Sequence, residues 1–325
     1  MRDFKQTLKK VGGAALFLAI LALLLGVLSR GVTDLVTKND DLVPARNKST
    51  VKIRQEAGQT IDVLIVGDSL SYSSFSPMQL WNSHGMAAFV GGQSGQTIQE
   101  SYYMMKTAFQ KQSPKVVVLE TNVIFRAKEG LDGIGESIRT CAGYYFPVFT
   151  YHDVWKSLVT GKRWTAEDYK GFQFRNTVTP YMGGSYMTVS RESRKISPVV
   201  KVYLEKIIKL CEKKDAKLIL VSIPSPSNYS LATHKALQAY AKNQGIPYTD
   251  LNLFLKELKI DWQKDSLDGG DHLNLSGAGK VTSWLGNYLK ETFSLPDHRG
   301  EERYAAWENM AKKYEKRAKE ILENM

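Results

Sequence analysis

Val63-Leu64-Ile65-Val66 is a short, uncharged, mostly β-branched run that stops at Gly67-Asp68-Ser69-Leu70. A run of this kind reads as a strand buried on both faces of a parallel sheet. Open α/β sheets bind their ligands at the C-terminal ends of such strands, so the turn sets a serine hydroxyl where ligands sit. The same pattern places further strands at about 87–90, 115–119, 217–223 and 247–251, with the first over 62–66. Helical spacing separates them: Ile98, Tyr102, Met105 and Phe109 within Thr97–Lys111, then Val199, Val200, Tyr203, Ile207 and Leu210 within Pro198–Lys214. Strands alternating with helices of this length predict a three-layer α/β domain built on a parallel sheet.

Three later segments give the serine partners. Phe89-Val90-Gly91-Gly92-Gln93-Ser94-Gly95-Gln96-Thr97 is a glycine-rich turn whose amides can approach an oxyanion. Val116-Val117-Val118-Leu119-Glu120-Thr121-Asn122 ends a second buried run on a side-chain amide donor. Asp271-His272-Leu273-Asn274 returns a histidine near the end of the same domain, as nucleophilic acyl chemistry requires.

Ser69, Gly95, Asn122 and His272, in that order, resemble the signature of the SGNH (GDSL-type) hydrolase and acyltransferase superfamily over about residues 56–295. The resemblance implies Ser69 as nucleophile and His272 as base. It also implies an oxyanion hole from the amides of Ser69 and Gly95 and the side chain of Asn122. Serine acyl chemistry of this kind needs neither metal nor organic cofactor.

Two departures stand out. The third block, usually Gly-x-Asn-Asp, reads Glu120-Thr121-Asn122-Val123, and the position three before the histidine is Gly269 instead of aspartate. Asp268 and Asp271 are the candidates to orient His272. Residues three or four apart on a helical turn share a face, which favours Asp268. The two glycines between could let the loop present Asp271, and a backbone carbonyl could serve instead.

Val11–Ser29 is an uncharged run of nineteen residues preceded by Arg2, Lys5, Lys9 and Lys10. That length spans a bilayer, and the basic lead places the N-terminus in the cytoplasm with the remainder outside. A cleaved signal peptide is the alternative, but Val27-Leu28-Ser29-Arg30 is a poor cleavage site. The expected organisation is thus an anchor over 1–30, a juxtamembrane linker over 31–55, the catalytic domain over 56–295 and a C-terminal segment over 296–325. In that last segment Tyr304, Trp307, Ala311, Tyr314, Ala318 and Ile321 mark an amphipathic helix, which packs on the domain or touches a membrane or partner.

The net charge of +11 includes +4 from residues 1–30, leaving a basic outer domain. That charge suits solubility, or attraction to an anionic envelope surface. Nothing resembles a nucleic-acid-binding module. Cys141 and Cys211 would form one disulfide or remain thiols, and neither has metal-ligand spacing.

Residues 124–195 break the strand–helix rhythm and are rich in aromatics. They read as an insertion beside the active site, its aromatics either packing it down or lining a substrate pocket. Tyr151, His152 and Trp155 are the candidate substrate-binding residues. His152-Asp153 is a histidine–carboxylate pair that more commonly stabilises a loop than transfers protons.

With an outer-face domain, the resemblance points to envelope-polymer O-acyltransferases (D-alanylation or O-acetylation components). These systems pair with a multi-span membrane-bound O-acyltransferase and act on an acyl donor and an anionic or glycan surface polymer. An esterase deacylating surface glycans or lipids, and a non-catalytic polymer-binding or scaffold protein, are the competing expectations.

Overall fold

The apolar runs form five parallel strands in the order β2-β1-β3-β4-β5. In chain order the elements are α1 (Arg2–Lys38), α2 (Ala45–Gln55), β1 (Val63–Val66), α3 (Ser69–Ser74), α4 (Pro77–His84), β2 (Ala88–Val90), α5 (Ile98–Ala108) and β3 (Val116–Glu120). Then come α6 (Val123–Arg126), α7 (Gly130–Tyr145), α8 (Val154–Thr160), α9 (Pro198–Lys213), β4 (Lys217–Ser222), α10 (Leu231–Gln244), β5 (Tyr248–Asp250), α11 (Leu275–Thr292) and α12 (Ala305–Glu323). This computed structural model describes residues 2–165, 168–188 and 194–325. The expected α/β class, with its parallel sheet between helices, is the observed one.

The central strands carry no polar face. Every residue of β1, and Val116 to Leu119 of β3, is buried, in register Val63↔Val116 and Ile65↔Val118. Strands so apolar need helices on both sides. The connection from β1 to β2 runs one way along the sheet and the next three run the other way, so right-handed crossovers assign their helices to opposite faces. Accordingly α2 and α9 pack on α5, while α4, α11 and α12 pack together. On α12, Trp307, Ala311, Tyr314 and Ile321 are buried; the Trp307 ring lies 5.4 Å from that of fully buried Trp81. The C-terminal helix is thus part of the domain.

The chain divides into two units. Ala45–Glu136 and Ala166–Met325 form the sheet-bearing unit; Met1–Pro44 and Ser137–Thr165 form the other. In the latter, α1 continues past the apolar run to Lys38, where the sequence suggested a linker. Residues Val11 to Leu28 are exposed apart from half-buried Leu25, whereas Ser29 and Val36 are buried. The second half of the expected linker is also helical: in the sheet-bearing unit α2 buries Ser49, Val51 and Ile53, and Arg46 pairs with Glu100 of α5 at 2.9 Å. Three buried positions in eleven residues leave too faint a stripe to be read as helical periodicity. The aromatic stretch 124–195 is therefore divided between the two units, and its residues 166–167 and 189–193 lie outside the described ones. Cys141 and Cys211 are free thiols, and burial pushes the Cys211 thiol up to about 12.

Candidate active site

Gly67 follows β1 at a point where a Cβ would lie 2.6 Å from Cβ of Glu120, so only glycine lets the two strand ends come this close. Asp68 then caps α3, its Oδ1 accepting the Leu70 N–H at 2.9 Å. Ser69 opens the helix, and its own amide is among the N–H groups that a helix leaves without an internal acceptor.

The Ser69 hydroxyl lies 2.8 Å from His272 Nε2. His272 Nδ1 lies 2.7 Å from Asp268 Oδ2, and the His272 backbone N–H donates to Asp268 Oδ1 at 2.7 Å. One carboxylate thus holds one histidine by two bonds. With a proton on Nδ1 facing Asp268, the Nε2 lone pair faces Ser69. Asp271 Oδ2 is 3.6 Å from the same Nδ1, beyond hydrogen-bond length. Its Oδ1 accepts instead from Asn228 Nδ2 at 2.6 Å.

The loop carrying these groups is no helical turn. Ser266 and Leu273 form an antiparallel bridge, and Leu267 N–H donates to the His272 carbonyl. Between them Gly269 and Gly270 take left-handed φ values of +73° and +97°. Asp268 reaches the imidazole through this closed loop, and not through helical spacing. A strand-like strap from the aromatic stretch grips it. Thr179 N–H donates to Ser266 O, Gly269 N–H to Thr179 O and Leu275 N–H to Arg175 O, at 2.8–3.0 Å. The Tyr181 ring fills the space beside Gly270, where a Cβ would lie 2.8 Å from its edge. A strap held by backbone bonds leaves no periodic side-chain signal, and the sequence gives no hint of it.

Asn122 follows β3 at the same end of the sheet. Its Nδ2 donates to Asp68 Oδ2 at 2.8 Å and stands 3.4 Å from Asn228 Oδ1. Arg126 Nε also bonds Asp68 Oδ2. Beneath them Glu120 is wholly buried, its Oε1 accepting from Asn122 N–H at 2.8 Å and from the Tyr229 hydroxyl at 2.5 Å. Burial, and then the neighbouring Asp68 charge, push the Glu120 carboxyl well above the usual carboxylate range. Arg126 pairs with Asp68 and not with Glu120, so burial beside that carboxylate favours the protonated form of Glu120. Asn228, Tyr229 and Arg126 were not foreseen, because each sits in a loop or a single helical turn with no motif around it.

Gly95 lies in the turn after β2 with φ +62° and no atom within 4 Å of a notional Cβ. Tyr151, His152 and Trp155 belong to the other unit. There Tyr151 is buried, Trp155 is 58% exposed, and His152 Nδ1 lies 2.8 Å from the Phe149 carbonyl. That bond fits a loop-stabilising role for His152. Asp268, Asp271 and His272 each bring one ligand atom within 4.8 Å of the others, a spacing a cation could use, although Asp268 already engages Nδ1.

No sequence-family model matches the chain, and no curated protein does. Among solved structures it is similar to a GDSL-like lipase from Bacteroides thetaiotaomicron, at 14% identity over 77% of this chain and 99% of that one, with a TM-score of 0.38. It is also similar to a protein provisionally described as a platelet activating factor from Streptococcus pneumonia (14% identity, 75% and 92% coverage, TM-score 0.42). A provisionally described acylhydrolase from Bacteroides fragilis matches at 14% identity, with 74% and 94% coverage and a TM-score of 0.37.

Proposed function

We propose that the chain is a membrane-anchored serine enzyme that transfers an acyl group to a hydroxyl of a cell-surface or cell-wall polymer. The observation that carries the chemistry is the unbroken relay from Ser69 Oγ through His272 to Asp268, each link 2.7–2.8 Å long. His272 Nε2 removes the Ser69 proton as the oxygen attacks an ester or thioester carbonyl, and the resulting imidazolium is held by Asp268. Collapse of the tetrahedral adduct expels the donor's leaving group, which takes the proton from Nε2 and leaves acyl-Ser69. An acceptor hydroxyl then repeats the cycle, giving its proton to His272 and releasing Ser69.

The oxyanion donors in this reading are the amides of Ser69 and Gly95 and one Nδ2–H of Asn122. Asp68 already holds the other Nδ2–H. The other, with only a 3.4 Å contact to Asn228, is the one this reading assigns to the oxyanion. Loss of such a donor commonly costs about 10²–10³ in rate.

Support for the location is α1. Lys9–Lys38 is long and apolar enough to cross a membrane, and its apolar window is unburied. With Arg2, Lys5, Lys9 and Lys10 held inside, the sheet-bearing unit faces outward. There its basic surface suits an anionic or glycan polymer, and a multi-span membrane O-acyltransferase could supply the acyl group.

The test is a fluorophosphonate probe and an acyl-donor assay on the full-length protein in detergent. The proposal expects Ser69 to be labelled, Ser69→Ala to abolish labelling, and acyl-donor consumption to rise when polymer hydroxyls are added. Full-rate turnover without acceptor would make it an esterase, and no labelling of Ser69 would make it a binding protein.

A further inference from the structure

Helix α8 is turned inside out. Its Val154 and Ser157 face inward, the Ser157 hydroxyl donating to the Leu42 carbonyl at 3.2 Å. Its larger apolar residues, Trp155, Leu158 and Val159, are 58%, 48% and 77% exposed. Positions i, i+3 and i+4 share one face of a helix, so these three form a continuous outward patch. Phe149 and, on α7, Ile138 and Tyr145 are outward too, each about half exposed or more. Six such residues within Ser137–Thr165 are not the scattered singles of an ordinary surface.

The depth of this segment is fixed by a bond within the same unit. Val148 N–H donates to Ser29 Oγ at 3.3 Å. Ser29 is buried, directly after the run Val11–Leu28, which is exposed apart from half-buried Leu25. At 1.5 Å per residue that run is about 27 Å long, close to the hydrocarbon thickness of a bilayer. The turn Pro147–Phe149 therefore meets α1 at the level where the anchor leaves the hydrocarbon. Cations rim the patch: Lys156, which pairs with Asp153 at 2.5 Å, lies 5.9 Å from the Trp155 ring centre, and Lys162 lies 4.0 Å above that of Trp164. Trp and Tyr with lysines that can reach for headgroups are the composition of an interfacial layer.

We infer that residues 137–165 form a membrane-resting foot, whose outward face of Phe149, Trp155, Leu158 and Val159 is buried among the headgroups and upper acyl chains of the leaflet that α1 leaves. The occupant of this face is lipid. The inference rests on the proposed anchoring by α1 and adds to it a second contact, with the foot lying in the interface as amphipathic helices do, about 5–10 Å deep. A foot beside the anchor fixes the height and orientation of its own unit on the membrane.

The test uses the full-length chain reconstituted into phosphatidylcholine–phosphatidylglycerol vesicles, with or without lipids brominated at the 6,7 positions of the acyl chain. Flotation measures anchoring, and tryptophan quenching measures the foot. The expected result is flotation of both wild type and Trp155→Phe, with wild-type fluorescence quenched by the bromolipid and at least half of that quenching lost in Trp155→Phe. Either orientation in the vesicle presents the foot to one leaflet, so mixed insertion does not blur the result. Flotation with equal quenching in the two proteins would overturn the foot while leaving the anchor, and is also the outcome if a protein partner, and not lipid, covers this face. Failure to float would overturn the anchor and the foot together.

Discussion

Replacing Asp268 by asparagine isolates what the carboxylate does for His272. The backbone bond survives, because an amide oxygen still accepts the His272 N–H now held at 2.7 Å. The side-chain bond does not. An amide nitrogen facing Nδ1 donates where the carboxylate accepted, which drives the ring proton to Nε2 and removes the lone pair that Ser69 needs. The charge is lost too. Asp268 is 41% exposed, so an effective dielectric between that of a protein surface and water applies, and with charge centres about 4 Å apart the pair is worth about 1–4 kcal/mol. At 1.36 kcal/mol per tenfold, that is roughly 10- to 10³-fold in rate, and the wrong tautomer adds roughly another tenfold or more.

Asp268→Asn should therefore lower kcat/KM for a short activated ester by about 10²–10⁴, with little change in melting temperature. Asp271→Asn should cost less than about tenfold. Its carboxylate makes no hydrogen bond to the ring, and an amide oxygen can still accept from Asn228. A severe loss confined to Asp271→Asn, or mild losses in both, would refute this division of roles. The second result would leave Ser69 and His272 working as a dyad.

Three further outcomes are expected. Glu120→Gln should become more stable relative to wild type as pH rises from about 5 toward 9: a carboxyl raised by burial lends its full stability below the unfolded pKa and loses it as pH climbs toward the folded one. Thermal melts across that range check it, and parallel curves would count against a protonated Glu120. Asn228→Ala, which frees both Asp271 and Asn122, should reduce kcat/KM by about tenfold for about 1 kcal/mol of stability, and an unchanged kcat/KM would detach it from the site. Trp307→Ala should destabilise the sheet-bearing unit by about 3–5 kcal/mol in chemical denaturation, because it empties a buried contact with Trp81.

Strands and core helices were legible because they answer to one force. Val116 to Leu119 must be buried on both faces, and Val200, Tyr203 and Ile207 of α9 must line one helical face, so apolar periodicity marks them directly. What escaped was held by backbone bonds or by single polar contacts. The strap around Thr179 pairs main chain with main chain, so almost any side chain would serve there. The foot escaped for a different reason: aromatic residues signal burial in protein and burial in lipid equally well, and only their exposure separates the two.

The departures in the third block become intelligible as one exchange. Where the resembled family carries a glycine, this chain places Glu120, and its bulk is accommodated because Gly67 on the adjacent strand end has no Cβ. The extra carboxyl would repel Asp68 if both were charged. It is held neutral by burial and engaged by Tyr229 and the Asn122 N–H, while Arg126 balances the one remaining charge on Asp68. Asp68 in turn holds Leu70 N–H on α3 and the side chain of Asn122, so the serine turn and the amide donor are fixed to the same two oxygens. An alanine at 120 would leave the Asn122 N–H short of an acceptor, at about 1–3 kcal/mol, and the Tyr229 hydroxyl with Thr121 Oγ1 as its remaining partner. It would also loosen Asn122 against Asp68. The altered block therefore reads as a different way of bracing the same amide, and not as the decay of a site that has lost its chemistry.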